Sequence, residues 1–162
     1  MQRILGRYRD AEATLHDAVS VAEGSLGAAD DDFVSALNSL GVLFKYSGRF
    51  DEARALYERA IAIVERAAGP DDVALASLLH NLGGLEHARG DHARGEPPAR
   101  RSVELRERAL GPDHPVVAAD LAALAALING QGRHAEAEAI YERTLAIFER
   151  TYGPTTTRLR SR

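Results

Sequence analysis

Two interleaved series of glycines constrain this chain more than any other feature. Gly6, Gly48, Gly90 and Gly132 stand 42 residues apart, and Gly27, Gly69, Gly111 and Gly153 keep the same spacing, the last three followed by Pro70, Pro112 and Pro154. A fixed period of this length is the mark of a stacked array, in which no unit can bury its apolar face alone and each buries it against its neighbours. Residues 48–70 (GRFDEARALYERAIAIVERAAGP) and 132–154 (GRHAEAEAIYERTLAIFERTYGP) are identical at 14 of 23 positions.

Each period carries two helical patterns. Leu37, Leu40, Leu43 and Phe44 recur at helical spacing, as do Leu79, Leu82 and Leu85, and then Leu121, Leu124 and Leu127; this is helix A. Gly48 ends it, because the residue past a last helical turn is often left-handed and glycine has no Cβ to clash there. Phe50, Ala53, Leu56, Tyr57, Ala60, Ile61 and Val64 mark helix B, which stops near Gly69-Pro70, and Asp71-Asp72 stand ready to accept N–H groups of the next helix A. Small residues share a register: Ala53, Gly95 and Ala137 on helix B, Gly41, Gly83 and Ala125 on helix A. They let the two helices of a unit approach closely. The expected fold is all-α, a right-handed solenoid of antiparallel helix pairs.

Leu37 to Gly41 and Leu79 to Gly83 read "Leu-x-x-Leu-Gly", and residues 48–60 read "Gly-Arg-Phe-x-Glu-Ala-x-x-x-Tyr-x-Arg-Ala". This pairing resembles a tetratricopeptide repeat. The 42-residue period, the "Ala-Ile-x-Glu-Arg" ending and the "Gly-Pro-Asp-His-Pro" joint at Gly111 to Pro115 resemble more narrowly the kinesin light chain-like variety. The resemblance spans about residues 6 to 154 and implies a non-catalytic scaffold that binds a protein or peptide.

The register divides the chain into a half repeat over 1–28 that holds helix B alone, units over 29–70, 71–112 and 113–154, and a basic, disordered tail over 155–162. With its open ends the chain reads as a fragment of a longer repeat protein, or as one whose exposed apolar edges pair with another copy or domain. Long arrays of this kind also resemble the C-terminal sensor regions of bacterial signalling ATPases. In the second unit Gly95-Glu96-Pro97-Pro98-Ala99 replaces Ala-Arg-Ala-Leu-Tyr, and the two prolines predict a kinked or late-starting helix over 97–110.

Composition removes other functions. With no cysteine there is no disulfide, thiolate nucleophile or Cys-ligated metal. A net charge of −4 with interleaved signs gives no basic field for nucleic acid, and no apolar stretch suits a signal peptide or membrane span. A cytoplasmic location is expected, and Lys45 as the one lysine among 20 basic residues points to a GC-rich bacterial source. His80 and His87 lie seven apart, too far for a helical i, i+4 ligand pair, while His16, His92, His114 and His134 are scattered and expected to be solvated. No metal, cofactor or catalytic residue is predicted. Runs such as Glu65-Arg66, Arg106-Glu107-Arg108 and Glu149-Arg150 are expected on a solvated convex face, joined by weak pairs within each helix.

What is left is the concave groove, which the resemblance places on the A helices. Its candidate residues are Ser35, Asn38, Ser39, Val42, Lys45 and Tyr46 in the first unit and Ser77, His80, Asn81, Gly84 and His87 in the second. The third contributes Asn129 alone, since Ala122 and Ala123 stand where the others have polar groups. In related arrays asparagines at the positions of Asn38 and Asn81 hold the backbone of an extended peptide. With Lys45 the only groove lysine, a multi-cation carboxylate clamp is not expected. If the open edges pair, the purified chain self-associates at tens of micromolar, and a clean monomer in light scattering overturns that expectation.

Overall fold

The computed structural model describes residues 31–153 throughout and, ahead of them, residues 10, 12–14, 16, 17 and 19–21, which are helical. The expected half repeat over 1–28 thus falls only partly within the described residues, and the basic tail over 155–162 lies outside them. Six helices follow in order: α1 (Asp31–Tyr46), α2 (Phe50–Ala68), α3 (Ala74–Arg89), α4 (His92–Leu110), α5 (Pro115–Gly130) and α6 (His134–Tyr152). The odd-numbered A helices have 16 residues each and the even-numbered B helices 19. Each helix packs on the one before and after it; α3 also touches α1 and α5, whereas the B helices have no such backbone approach to one another. The result is an all-α solenoid with the A helices side by side along one face.

All three A helices end in one way. The N–H of Arg49 reaches the carbonyl of Phe44 at 2.9 Å, that of Asp91 reaches Glu86 at 2.9 Å and that of Arg133 reaches Ile128 at 3.3 Å, each across a left-handed glycine. This is the Schellman closure, which satisfies terminal carbonyls and turns the chain back for helix B. Helix starts are capped more variously. The Asp72 carboxylate accepts from the Ala74 N–H at 2.8 Å and Asp91 from Arg94 at 3.3 Å, while the His114 ring accepts from Val116 ahead of Pro115.

The prolines of α4 do not delay it. The helix begins at His92, as α2 and α6 begin at the same register, and runs through Pro97 and Pro98 to Leu110. The missing N–H groups would have bonded the carbonyls of Ala93 and Arg94, both on the exposed first turn of the helix, where the carbonyls are open to solvent. Packing supplies the rest, because Gly95, Ala99, Ser102, Val103 and Leu105 are all buried.

The core lies where the small residues bring A and B together. A Cβ on Gly41 would stand 2.7 Å from the Tyr57 ring, and Tyr57 is fully buried. In the next pair Gly83 faces Ala99 and the Gly95 carbonyl, each 3.2 Å from where its Cβ would be. In the third pair Ala125 takes the glycine's place, and Tyr141, at the register of Tyr57, is 42% exposed. We predict that Gly41→Ala costs about 1–3 kcal/mol through overpacking, and that the penalty shrinks in a Tyr57→Ala background. Urea unfolding of the four chains of that cycle measures the coupling; additive losses would refute this account of the crossing.

Candidate functional site

The face formed by the A helices carries the predicted groove. Ser35, Ser39 and Tyr46 are exposed on α1, while Val42 is half-buried and packs on the core beneath. Asn38 and Asn81 meet: the Asn81 amide donates to Oδ1 of Asn38 at 2.8 Å, joining α1 to α3. Each amide keeps further donor or acceptor capacity for a ligand.

Two turns beyond Asn38 on α1 stands Lys45, its Nζ 3.2 Å from where a Cβ on Gly84 would be and 5.5 Å from the centre of the Tyr46 ring. Among the described residues no carboxylate pairs with it. Burial holds its pKa below the usual lysine value. Its neighbours are cationic or neutral. His87 titrates below the usual histidine range, mainly through burial and then through the charges of His92 and Lys45. His92 was expected in solvent but is half-buried, its ring 5.1 Å from that of His87 and packed on Gly130.

A second polar group lies between α3, α4 and α5, and sequence reading missed it. Asp120, 1% exposed, receives Arg106 Nη1 at 3.2 Å, has Ser102 Oγ at 3.0 Å and lies 2.6 Å from Nδ1 of His80. Arg106 also donates to Ser77 Oγ at 2.9 Å, and Ser102 Oγ is 2.8 Å from the Ala76 carbonyl. Two groove candidates, Ser77 and His80, are therefore committed to internal partners. The signal was in the register: Asp120, Ser102 and Arg106 occupy the positions of the buried Leu78, Ala60 and Val64. Glu86 is a parallel case, fully buried at the position of Phe44 and paired with Arg54 of α2.

Asn129 is not part of the Asn38–Asn81 group. Its Oδ1 is 2.7 Å from Nδ1 of His134, and it borders a hollow over α6. His114 is a cap, as described, and His16 lies 6.0 Å from the Phe44 ring. The Glu/Arg runs make the expected pairs within a helix, Arg54 with Glu58 and Arg100 with Glu96, and also reach across to other elements: Arg101 to Glu65 and Arg143 to Glu107 on other B helices, Arg108 to Asp71 and Arg150 to Asp113 in the turns between units. Among the described residues no three His, Asp or Glu side chains gather as metal ligands, and no helix is long and apolar enough to cross a membrane.

Comparison with known proteins agrees with this geometry. The sequence model of the tetratricopeptide repeat matches residues 1–66, 32–94 and 74–150. None of the curated proteins matches the sequence. Among solved structures, BtubC (BKLC) from P. vanneervenii superposes with a TM-score of 0.83 at 24% identity, over 97% of this chain and 63% of its own. This chain thus spans less than two thirds of that relative. Two structures of a Podosopora anserina protein described as a kinesin light chain with nearly identical TPR-like repeats give TM-scores of 0.76 and 0.75 at 21% and 20% identity. They cover 90% and 94% of this chain and 69% and 72% of their own.

The groove makes its own electrostatic prediction. His87 binds its proton less readily when folded than when unfolded, so it contributes stability above the ordinary histidine pKa that is lost as pH falls through that range. Lys45→Met removes one of the three causes, and the His87 pKa rises toward the ordinary value in an NMR titration of the imidazole protons. An unchanged His87 pKa would mean that the ammonium does not sense this ring.

Proposed function

The chain belongs to the tetratricopeptide repeat family, whose arrays generally mediate protein–protein interaction and are typically non-catalytic, and on that premise we propose that it is a scaffold that binds an extended segment of a protein partner across α1 and α3. The observation that carries this reading is Lys45, a half-buried ammonium on the groove floor with no carboxylate partner among the described residues. Partly desolvated charge without a partner is costly, and a ligand carboxylate placed there would offset that cost. Gly84 supports the reading, because a side chain there would meet the Lys45 amine. Asn38 and Asn81 then offer donors and acceptors to the ligand's backbone, as the strand-like recognition of an extended peptide requires.

A segment of about 6–10 residues spans such a groove at roughly 3.4 Å per residue. With aromatic residues at 6% of the chain, anchoring is sparse and the affinity should be about micromolar. The test begins with peptides selected against the full chain from a displayed random library. In calorimetry Asn38→Ala and Asn81→Ala are each expected to weaken the selected peptide by about 1–2 kcal/mol. Because the amides bond each other, the double variant loses less than the sum. A double variant with unchanged affinity and unchanged helicity rules out this groove.

A further inference from the structure

The other surface with unspent binding chemistry is the outer side of α6. In the first helix pair α3 packs on α2, where Tyr57 and Val64 are buried and Ile61 is half-buried. At the registers of Tyr57 and Ile61, α6 presents Tyr141 and Leu145, 42% and 52% exposed, and at that of Val64 a half-buried Phe148. Tyr141 and Leu145, with Ala137 and Glu138, line a shallow hollow of about 300 Å³. In the second pair the equivalent space beside Gly95 is filled by Leu127 of α5.

Charge says what kind of helix fits. Arg54 of α2 meets an acid on its covering helix, the buried Glu86. At the same register α4 has an acid, Glu96, and the turn after its covering helix brings donors: Gln131 at 2.7 Å and Arg133 at 2.6 Å. These bonds, with one from Arg100, hold the Glu96 carboxyl below its usual range although burial pushes the other way. On α6 this position is again an acid, Glu138, and among the described residues its carboxylate has no partner.

We propose that the α6 face is a second binding surface, distinct from the groove, for an amphipathic helix of a partner protein with leucines at the spacing of α3 and an arginine where α3 carries Glu86. Leucines enter the hollow over Ala137 and beside Tyr141 and Leu145, as Leu127 enters the space over Gly95. The arginine pairs with Glu138 as Arg133 pairs with Glu96. A glutamate at that point sets two carboxylates against each other at a contact that apolar side chains close to water.

The probe is the chain's own α3 segment, residues 71–91, as a labelled synthetic peptide in two forms, unmodified and with Glu86→Arg. Fluorescence anisotropy against the full chain should show the Glu86→Arg form binding at least about tenfold more tightly. Glu138→Lys in the chain should reverse that preference, and Leu145→Asp should abolish both. Both substituted positions are exposed, and circular dichroism checks that the fold is kept. The Asn38→Ala, Asn81→Ala double variant should bind both peptides unchanged, which separates this surface from the groove. Equal affinity for the two peptides, or binding indifferent to Leu145→Asp, overturns the proposal. So does a dimer in light scattering that Leu145→Asp dissolves, because the face then takes a second copy instead.

Discussion

The structure depends on how closely two helices of unlike length can approach within one pair. Where Gly41 lies against the ring of Tyr57, and Gly83 against the backbone of α4 at Gly95, the missing Cβ atoms set the separation of A from B. That separation decides whether Leu37, Leu40 and Phe44 on one side and Ala53, Ala60 and Ile63 on the other can fill the space between them without voids. Once one pair has this shape, translation by 42 residues reproduces its outer faces and the stack follows. The Schellman closures at Gly48, Gly90 and Gly132 make the turn from A to B the same each time. The third pair shows the constraint from the opposite side. Ala125 there carries the Cβ that at Gly41 would meet the Tyr57 ring, and Tyr141, at the register of Tyr57, is 42% exposed.

The apolar core is not continuous along the stack. One cluster runs from α1 through Leu85 to Leu105, and the other from Ala99 through α5 to Ile147. The Asp120 group sits between α3, α4 and α5 where these clusters adjoin. A buried carboxylate with an arginine, a serine and a histidine around it is well satisfied, yet it contributes less to stability than apolar side chains of the same volume would. Its directional bonds do something else. They fix the rotation of α5 against α3 and α4, which leucines alone would leave to shape. Removing Arg106 would leave the buried Asp120 without its cation; the first and second pairs are joined by ion pairs of their own, Arg54–Glu86, Arg89–Asp51 and Arg101–Glu65, and by the Asn38–Asn81 bond.

The helices, their turns and the small-residue crossings were legible because each is a local pattern with its own mechanism: apolar spacing, glycine at a left-handed position, proline after a helix end. The polar group around Asp120 was not, for a physical reason. Its partners lie 14 to 40 residues away, so no short window contains them, and amphipathic reading assigns every charge to the outside. Only the register exposes it, by placing an acid, a serine and an arginine where the preceding repeat has Leu78, Ala60 and Val64. Pro97 and Pro98 misled in the opposite direction. Local propensity argues for a break, but the carbonyls they orphan face water and the helix around them is held by its buried side. On the A-helix face, exposure could be read from the register, as at Ser35 and Tyr46. Tertiary bonds could not be read that way, as at Ser77 and His80.

That difference shapes how a ligand would be recognised. A groove whose polar residues all point freely to solvent gains one bond for each it makes, after losing a bond to water. Here the Asn38–Asn81 bond already orients both amides, so on the proposed reading a ligand would meet donors and acceptors whose rotamers are set before it arrives, and less ordering entropy would oppose binding. The gain per bond is modest in magnitude and strict in geometry, since a backbone that does not match both amides breaks the bond between them without replacing it. Lys45 adds strength at one point only. On the proposed reading, affinity in such a groove would come from one charge and two amides, and discrimination chiefly from the amides, an arrangement in which partners that bind weakly can still be told apart.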